Sequence, residues 1–157
     1  MRAFEDFHVG DTAEFGPMLV TAEAIKSFAR QFDPQPMHLD EAAAQNTIVG
    51  GLFASGLHTV CMHMRLLADG MLRDSMSMGS PGVEEVRYLA PVRPGDRLTL
   101  RLEVLEARPS KSRPEMGIVR FRSHMVNADG EPVIRLTSTL LVGRRAAAAA
   151  KDRSGAP

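Results

Sequence analysis

Apolar residues in the first half of the chain recur with the period of a helix, and those in the second half alternate. Residues 12–20 are expected to form a short strand after the turn Val9-Gly10-Asp11. Thr21 is a good helix N-cap with Glu23 close behind, and Ala24, Ile25, Phe28, Ala29 and Phe32 follow at helical spacing. A loop at 33–36 leads into a short helix reaching about Gln45, and Gly50-Gly51 breaks the pattern. The most apolar segment is 55–72, where Phe53, Leu57, Val60, Met64, Leu67 and Met71 step by three and four. Cys61, Ala68 and Leu72 widen that stripe, and Met62 and Leu66 cover much of the remaining face. A helix apolar on most of its sides is usually buried. Arg65 and Asp69, one turn apart, mark its narrow wet side. Residues 74–82, rich in Ser, Met and Gly, are expected to be a loop.

Beyond that point the period becomes two. Leu98, Leu100, Leu102 and Val104 alternate with Thr99, Arg101 and Glu103, which predicts a half-buried strand over 97–107. Residues 83–92 form the strand before it, joined by the turn Arg93-Pro94-Gly95-Asp96. Two more strands are predicted at 118–127 and 133–143, linked by the hairpin loop Asn127-Ala128-Asp129-Gly130, and 109–115 is a polar, basic loop. Helices followed by a run of strands imply an α+β class with a mostly antiparallel sheet. A helix apolar nearly all round needs a sheet wrapped about it, which is the arrangement of a hot-dog fold.

The 157 residues suit one domain, expected over 1–145, with the five-Ala run and polar end at 146–157 as a frayed tail. With 44% apolar residues a sizeable core can form, and ten Met with no Trp give it adaptable side chains. Net charge is zero and no basic stripe stands out, which argues against nucleic acid as a partner. A single cysteine, Cys61, cannot pair internally and fits a reducing cytosol. No apolar run approaches a membrane span, and the first residues lack the apolar core of a secretory signal, so a cytoplasmic location is expected.

Candidate chemistry lies in Phe32-Asp33-Pro34-Gln35-Pro36-Met37-His38-Leu39-Asp40-Glu41, where a carboxylate and an imidazole sit five residues apart between prolines. Proline fixes φ and biases the preceding residue toward extended geometry, so Asp33 and Gln35 are held in a loop. His38 is expected at a helix start, with Asp40 and Glu41 in the first turn where the dipole favours negative charge. Asp33 and His38 can then address one small molecule, the raw material of paired acid–base chemistry.

Two further blocks extend this motif: Phe53-Ala54-Ser55-Gly56-Leu57 at the start of the apolar helix, and Leu89-Ala90-Pro91-Val92-Arg93-Pro94-Gly95-Asp96. Together the three blocks resemble the MaoC-like dehydratases, the family that includes R-specific enoyl-CoA hydratases. The first block is similar to the family pattern D-x-N-P-x-H-x-D and the second to an apolar–Ala–His–Gly–Met/Leu stretch. Gln35 stands for the usual Asn, Ser55 for the usual His, and Phe32 where Gly is common; some R-specific members carry a Ser in the central helix near the position of Met64. The resemblance implies a hot-dog subunit that forms a homodimer, with acyl-CoA lying along the central helix. It implies reversible addition of water to a trans-2-enoyl-CoA, giving 3-hydroxyacyl-CoA. Asp33 and His38 would be the catalytic acid–base pair, and Gln35, Ser55 and Gly56 would bind substrate. The Gly56 N–H would donate to the thioester oxygen. No metal and no cofactor are implied, the CoA thioester being the substrate.

Other readings of these residues compete. Asp33 and His38 can be a turn cap and a helix-starting histidine. Ser55 with His58 lacks the G-x-S-x-G elbow of a nucleophile, so an N-cap serine is the simpler account. His58 and His63 do not share a helix face, and no metal-binding motif exists; with His124 they are read as core or surface residues. Lys111, Arg113 and Arg93 are candidates for CoA phosphates, with a solvated surface as the simpler role. Two other functions are a hot-dog acyl-CoA thioesterase, for which Asp69 is the helix carboxylate, and a non-catalytic acyl-CoA-binding subunit.

Overall fold

A computed structural model describes residues 1–145; the expected tail at 146–157 lies outside the described residues. Strand β1 (Thr12–Leu19) is followed by helices α1 (Ala22–Phe32), α2 (Pro36–Leu39), α3 (Glu41–Gln45) and α4 (Gly56–Gly70). Strands β2 (Ser77–Tyr88), β3 (Arg97–Pro109), β4 (Met116–Val126) and β5 (Pro132–Gly143) complete the order. The sheet runs β1-β3-β4-β5-β2, and every neighbouring pair is antiparallel. With α4 packed against its inner face, this is the hot-dog fold. No helix among the described residues is long and apolar enough to cross a membrane.

The alternating residues of β3 do what their period predicts. Leu98, Leu100, Leu102 and Val104 are buried while Arg101 and Glu103 are exposed. Burying each such side chain contributes about 1.5–3 kcal/mol. On the opposite layer, Met62, Leu66 and Leu67 of α4 join the same core. Thr21 caps α1 by accepting the Ala24 N–H at 3.1 Å, and Ile25 and Ala29 turn inward.

Three elements differ from the sequence expectation. Residues 77–82 belong to β2 rather than to a loop. β2 is an edge strand, so its Gly and Pro are tolerated, and its ladder to β5 shifts register around Gly79 and Gly82. The segment after Gln35 is two short helices, because Asp40 leaves α2 and caps α3 by accepting the Ala43 N–H at 2.7 Å. His38 therefore sits inside the single turn of α2, not at the start of a longer helix. Finally, α4 exposes Leu57, Cys61 and Met64 beside Arg65 and Asp69, and buries His58, Thr59 and His63. In one chain the sheet covers only one side of that helix.

Candidate active site

The site forms where α1 ends, α2 turns and α4 begins. Asp33 is the C-cap of α1, its N–H donating to the Ala29 carbonyl at 3.0 Å. Gln35 then caps α2, and Pro36 occupies the first helical position, where its missing N–H costs nothing. One turn of α2 carries His38 inward until it is 3% exposed. The imidazole Nδ1 lies 2.9 Å from the Phe53 carbonyl, and the Phe53 ring meets its edge at 4.7 Å between centroids. A carbonyl only accepts, so Nδ1 carries the proton and Nε2 presents a lone pair in the neutral ring. That Nε2 lies 3.6 Å from Asp33 Oδ2.

Asp33 is pinned on both oxygens. The Gln35 side-chain amide donates to Oδ1 at 2.7 Å, and the Ser55 hydroxyl donates to Oδ2 at 2.5 Å. The Ser55 hydrogen bond, then that from Gln35, hold this carboxyl below the usual carboxylate range against the upward push of burial, and the nearby His38 adds a smaller downward pull. Donors that bind the ionised form favour it. The pair therefore joins a firmly ionised carboxylate to a basic ring nitrogen.

Ser55 also caps α4, accepting the Leu57 N–H at 3.3 Å. Gly56 is the first residue of that helix, so its N–H has no acceptor within the helix and lies at the positive end of the dipole. A Cβ on Gly56 would come within 2.7 Å of the Tyr88 ring. Glycine is needed there for close packing.

Asp33, Gln35, His38 and Gly56 line one cleft of about 560 Å³, whose walls include Ile48, Val49, Phe53, Tyr88 and Val92. The five residues singled out from the sequence thus come together, with Ser55 behind Asp33. Three contributors escaped the sequence reading. Phe53 acts through its backbone carbonyl, which no side-chain pattern reveals. Tyr88 comes from a distant strand, though it directly precedes the Leu89–Asp96 block. The apolar pair Ile48-Val49 is flanked by turn residues and carries no period. Asp69 lies 13 residues along α4 from Gly56, about 20 Å at 1.5 Å per residue, and pairs with Arg65 and Arg73.

Residues 6–123 match the protein family described as MaoC like domain. The chain belongs to the MaoC-like family. This MaoC-like chain superposes on the crystal structure of a MaoC-like dehydratase from Rhodospirillum rubrum with a TM-score of 0.82 and 43% identity, covering 91% of this chain and 97% of that one. It is 27% identical to a 3-hydroxybutyryl-CoA dehydratase of Methylorubrum extorquens, over 85% of this chain and 83% of the relative. It is 26% identical to an (R)-specific enoyl-CoA hydratase of Rhodospirillum rubrum, over 92% and 94% of the two chains. The hot-dog fold and the MaoC-like resemblance read from the sequence are both borne out.

Proposed function

We propose that this MaoC-like chain catalyses the reversible hydration of a trans-2-enoyl-CoA to a 3-hydroxyacyl-CoA. The observation that carries the reading is the Asp33–His38 pair: Nε2, made a lone-pair donor by the Phe53 carbonyl, faces Asp33 Oδ2 across 3.6 Å. Both groups accept hydrogen bonds, so a substrate water between them would donate one hydrogen to each. His38 takes a proton from that water as its oxygen bonds to C3. The double-bond electrons move toward C2 and the thioester carbonyl, and the oxygen that gains charge accepts from the Gly56 N–H. His38 then returns its proton to C2, so the product gains one H and one OH. Asp33 is the poorer proton acceptor because Ser55 and Gln35 hold it ionised. Its role is to orient the water and favour the imidazolium. No cofactor enters this scheme.

The walls of the cleft suit an acyl group, being largely apolar beyond the polar pair. Asp69 is too remote to serve a thioesterase reaction at Gly56. We further propose that the chain works as a homodimer.

The test is hydration of crotonyl-CoA and trans-2-octenoyl-CoA, followed by loss of the conjugated enoyl absorbance. Asp33→Asn and His38→Ala should each lower the rate by about 10²–10⁴, the usual share of a positioned acid or base. Circular dichroism should show both variants folded. A folded double variant with full activity would overturn the assignment. Tight acyl-CoA binding with no turnover on any chain length would replace it with a binding role.

A further inference from the structure

Two walls flank the catalytic pair, and one side chain ties them together. The first wall is the turn after α3. There the Thr47 hydroxyl donates to the Ala44 carbonyl at 2.7 Å, and the Gly51 N–H returns to the same carbonyl at 3.1 Å. The reversal requires φ of +66° at Gly50 and +134° at Gly51, conformations that favour glycine. This turn carries Val49 and the fully exposed Ile48 to the mouth of the cleft.

The second wall is the segment 89–92, docked on the entrance to α4 by the Ala54 N–H, which donates to the Val92 carbonyl at 2.8 Å. Arg93 follows immediately. Its backbone N–H donates to the Asp96 carboxylate at 2.7 Å, which fixes its stem. Its half-buried guanidinium crosses to the first wall and donates to the Val49 carbonyl through Nη2, with a longer contact of 3.5 Å from Nη1 to the Gly50 carbonyl. A Cβ on Gly51 would lie 3.2 Å from Nη1, so the guanidinium is packed against the turn. A planar fork with fixed donors suits two successive carbonyls, which a lysine ammonium cannot match.

We propose that Arg93 is a positioning residue that clamps the Thr47–Gly51 turn across the cleft, and that Ile48 on this turn is the apolar cover for the acyl group. Arg93 is thereby committed to backbone carbonyls and is not a phosphate ligand. Ile48 lacks cover in the free chain and gains it when an acyl chain fills the cleft. The inference rests on the hydratase reading of Asp33 and His38 for its substrate.

The experiment compares wild type with Arg93→Met, Arg93→Lys and Ile48→Ala on crotonyl-CoA and trans-2-octenoyl-CoA. Arg93→Met should raise KM for the octenoyl substrate about tenfold, the share of one charge-assisted hydrogen bond, with a much smaller change in kcat. Arg93→Lys should recover part of that loss, and Ile48→Ala should raise KM more for the octenoyl than for the crotonyl thioester. A fall in kcat at unchanged KM overturns the clamp, as does an equal KM change for both chain lengths. Amide hydrogen exchange supplies a readout independent of turnover. Saturating octanoyl-CoA should protect residues 47–51 in wild type and much less in Arg93→Met; absence of protection in wild type refutes the clamp. A wild-type chain that hydrates neither enoyl-CoA yet shows this protection refutes the hydratase reading while supporting the clamp.

Discussion

Ser55 uses both capacities of its hydroxyl: the proton goes to Asp33 and a lone pair receives the Leu57 N–H. At 1% exposure it reads better as a support for the carboxylate than as a direct substrate contact. Ser55→Ala should cost about 1 kcal/mol as a lost N-cap, measurable by urea unfolding. The same change removes the largest influence holding Asp33 low, so an NMR titration should find its carboxyl moved up toward the ordinary value. The sign follows from linkage. A carboxyl depressed in the folded state adds stability above its unfolded value, and this is lost as pH falls through the folded one. Ser55→Ala should therefore shrink the acid-side decline that Asp33 causes. His63 contributes a second pH dependence. It is 2% exposed, its Nε2 lies 2.7 Å from the Ser123 hydroxyl, and burial pushes it down from 6.5 to about 4. Between those values the unfolded chain binds the proton more readily, so stability falls with pH from 6.5 toward 4 by up to roughly 3 kcal/mol. His63→Gln keeps a partner for Ser123 and should flatten the urea midpoint across that range; an unchanged slope would exclude His63 as its source.

Helix α4 joins chemistry to packing at its first turn. Gly56 there is the first helical residue, and it leaves room for Tyr88 at the end of β2. Gly56→Ala forces a Cβ to within 2.7 Å of that ring, so the ring or the helix start has to move. The expected outcome is a destabilisation of about 1–3 kcal/mol from overpacking and a fall in hydration rate. Adding Tyr88→Ala should recover stability, because the clash is shared, and the urea cycle should show non-additivity. Activity should not return in parallel if the helix N–H and the ring both shape the thioester site. This contact also shows where sequence reading stops. The glycine itself was named from the sequence, as a donor to the thioester, but the ring that requires it lies 32 positions away on another strand. Local spacing picked out Asp33 and His38, and the resemblance to the MaoC-like family added Gln35, Ser55 and Gly56. Groups that act through the backbone or arrive from afar, Phe53 and Tyr88, left no periodic trace. The same limit explains β2: its Gly, Pro and Ser suggest a loop by composition, and only the ladder supplied by β5 makes residues 77–82 a strand.

At the scale of the whole molecule, the apolar pattern of α4 exceeds what one sheet can cover. The period implied burial on most sides, yet Leu57 is 56% and Met64 50% exposed in the single chain. Nearby, the edge strand β2 leaves Val83, Val86 and Tyr88 partly exposed, and Met64 and Val83 border one small apolar cavity. An unpaired strand edge next to an apolar helix face is a liability in a monomer and a ready interface in an assembly. A second copy would satisfy both features at once, since a two-fold partner would present the same edge and the same helix face in return. Light scattering on the purified protein should give twice the mass of the chain. Met64→Glu and Val86→Glu each place a charge on that face without touching Asp33 or His38, and should shift the equilibrium toward monomer in proportion to the apolar area each removes. If the surplus apolar face of α4 exists to be covered by a partner, these variants should be less thermally stable than wild type, and their stability should depend less steeply on dilution. A wild-type protein that stays monomeric at high concentration would leave the exposed face of α4 to the substrate alone.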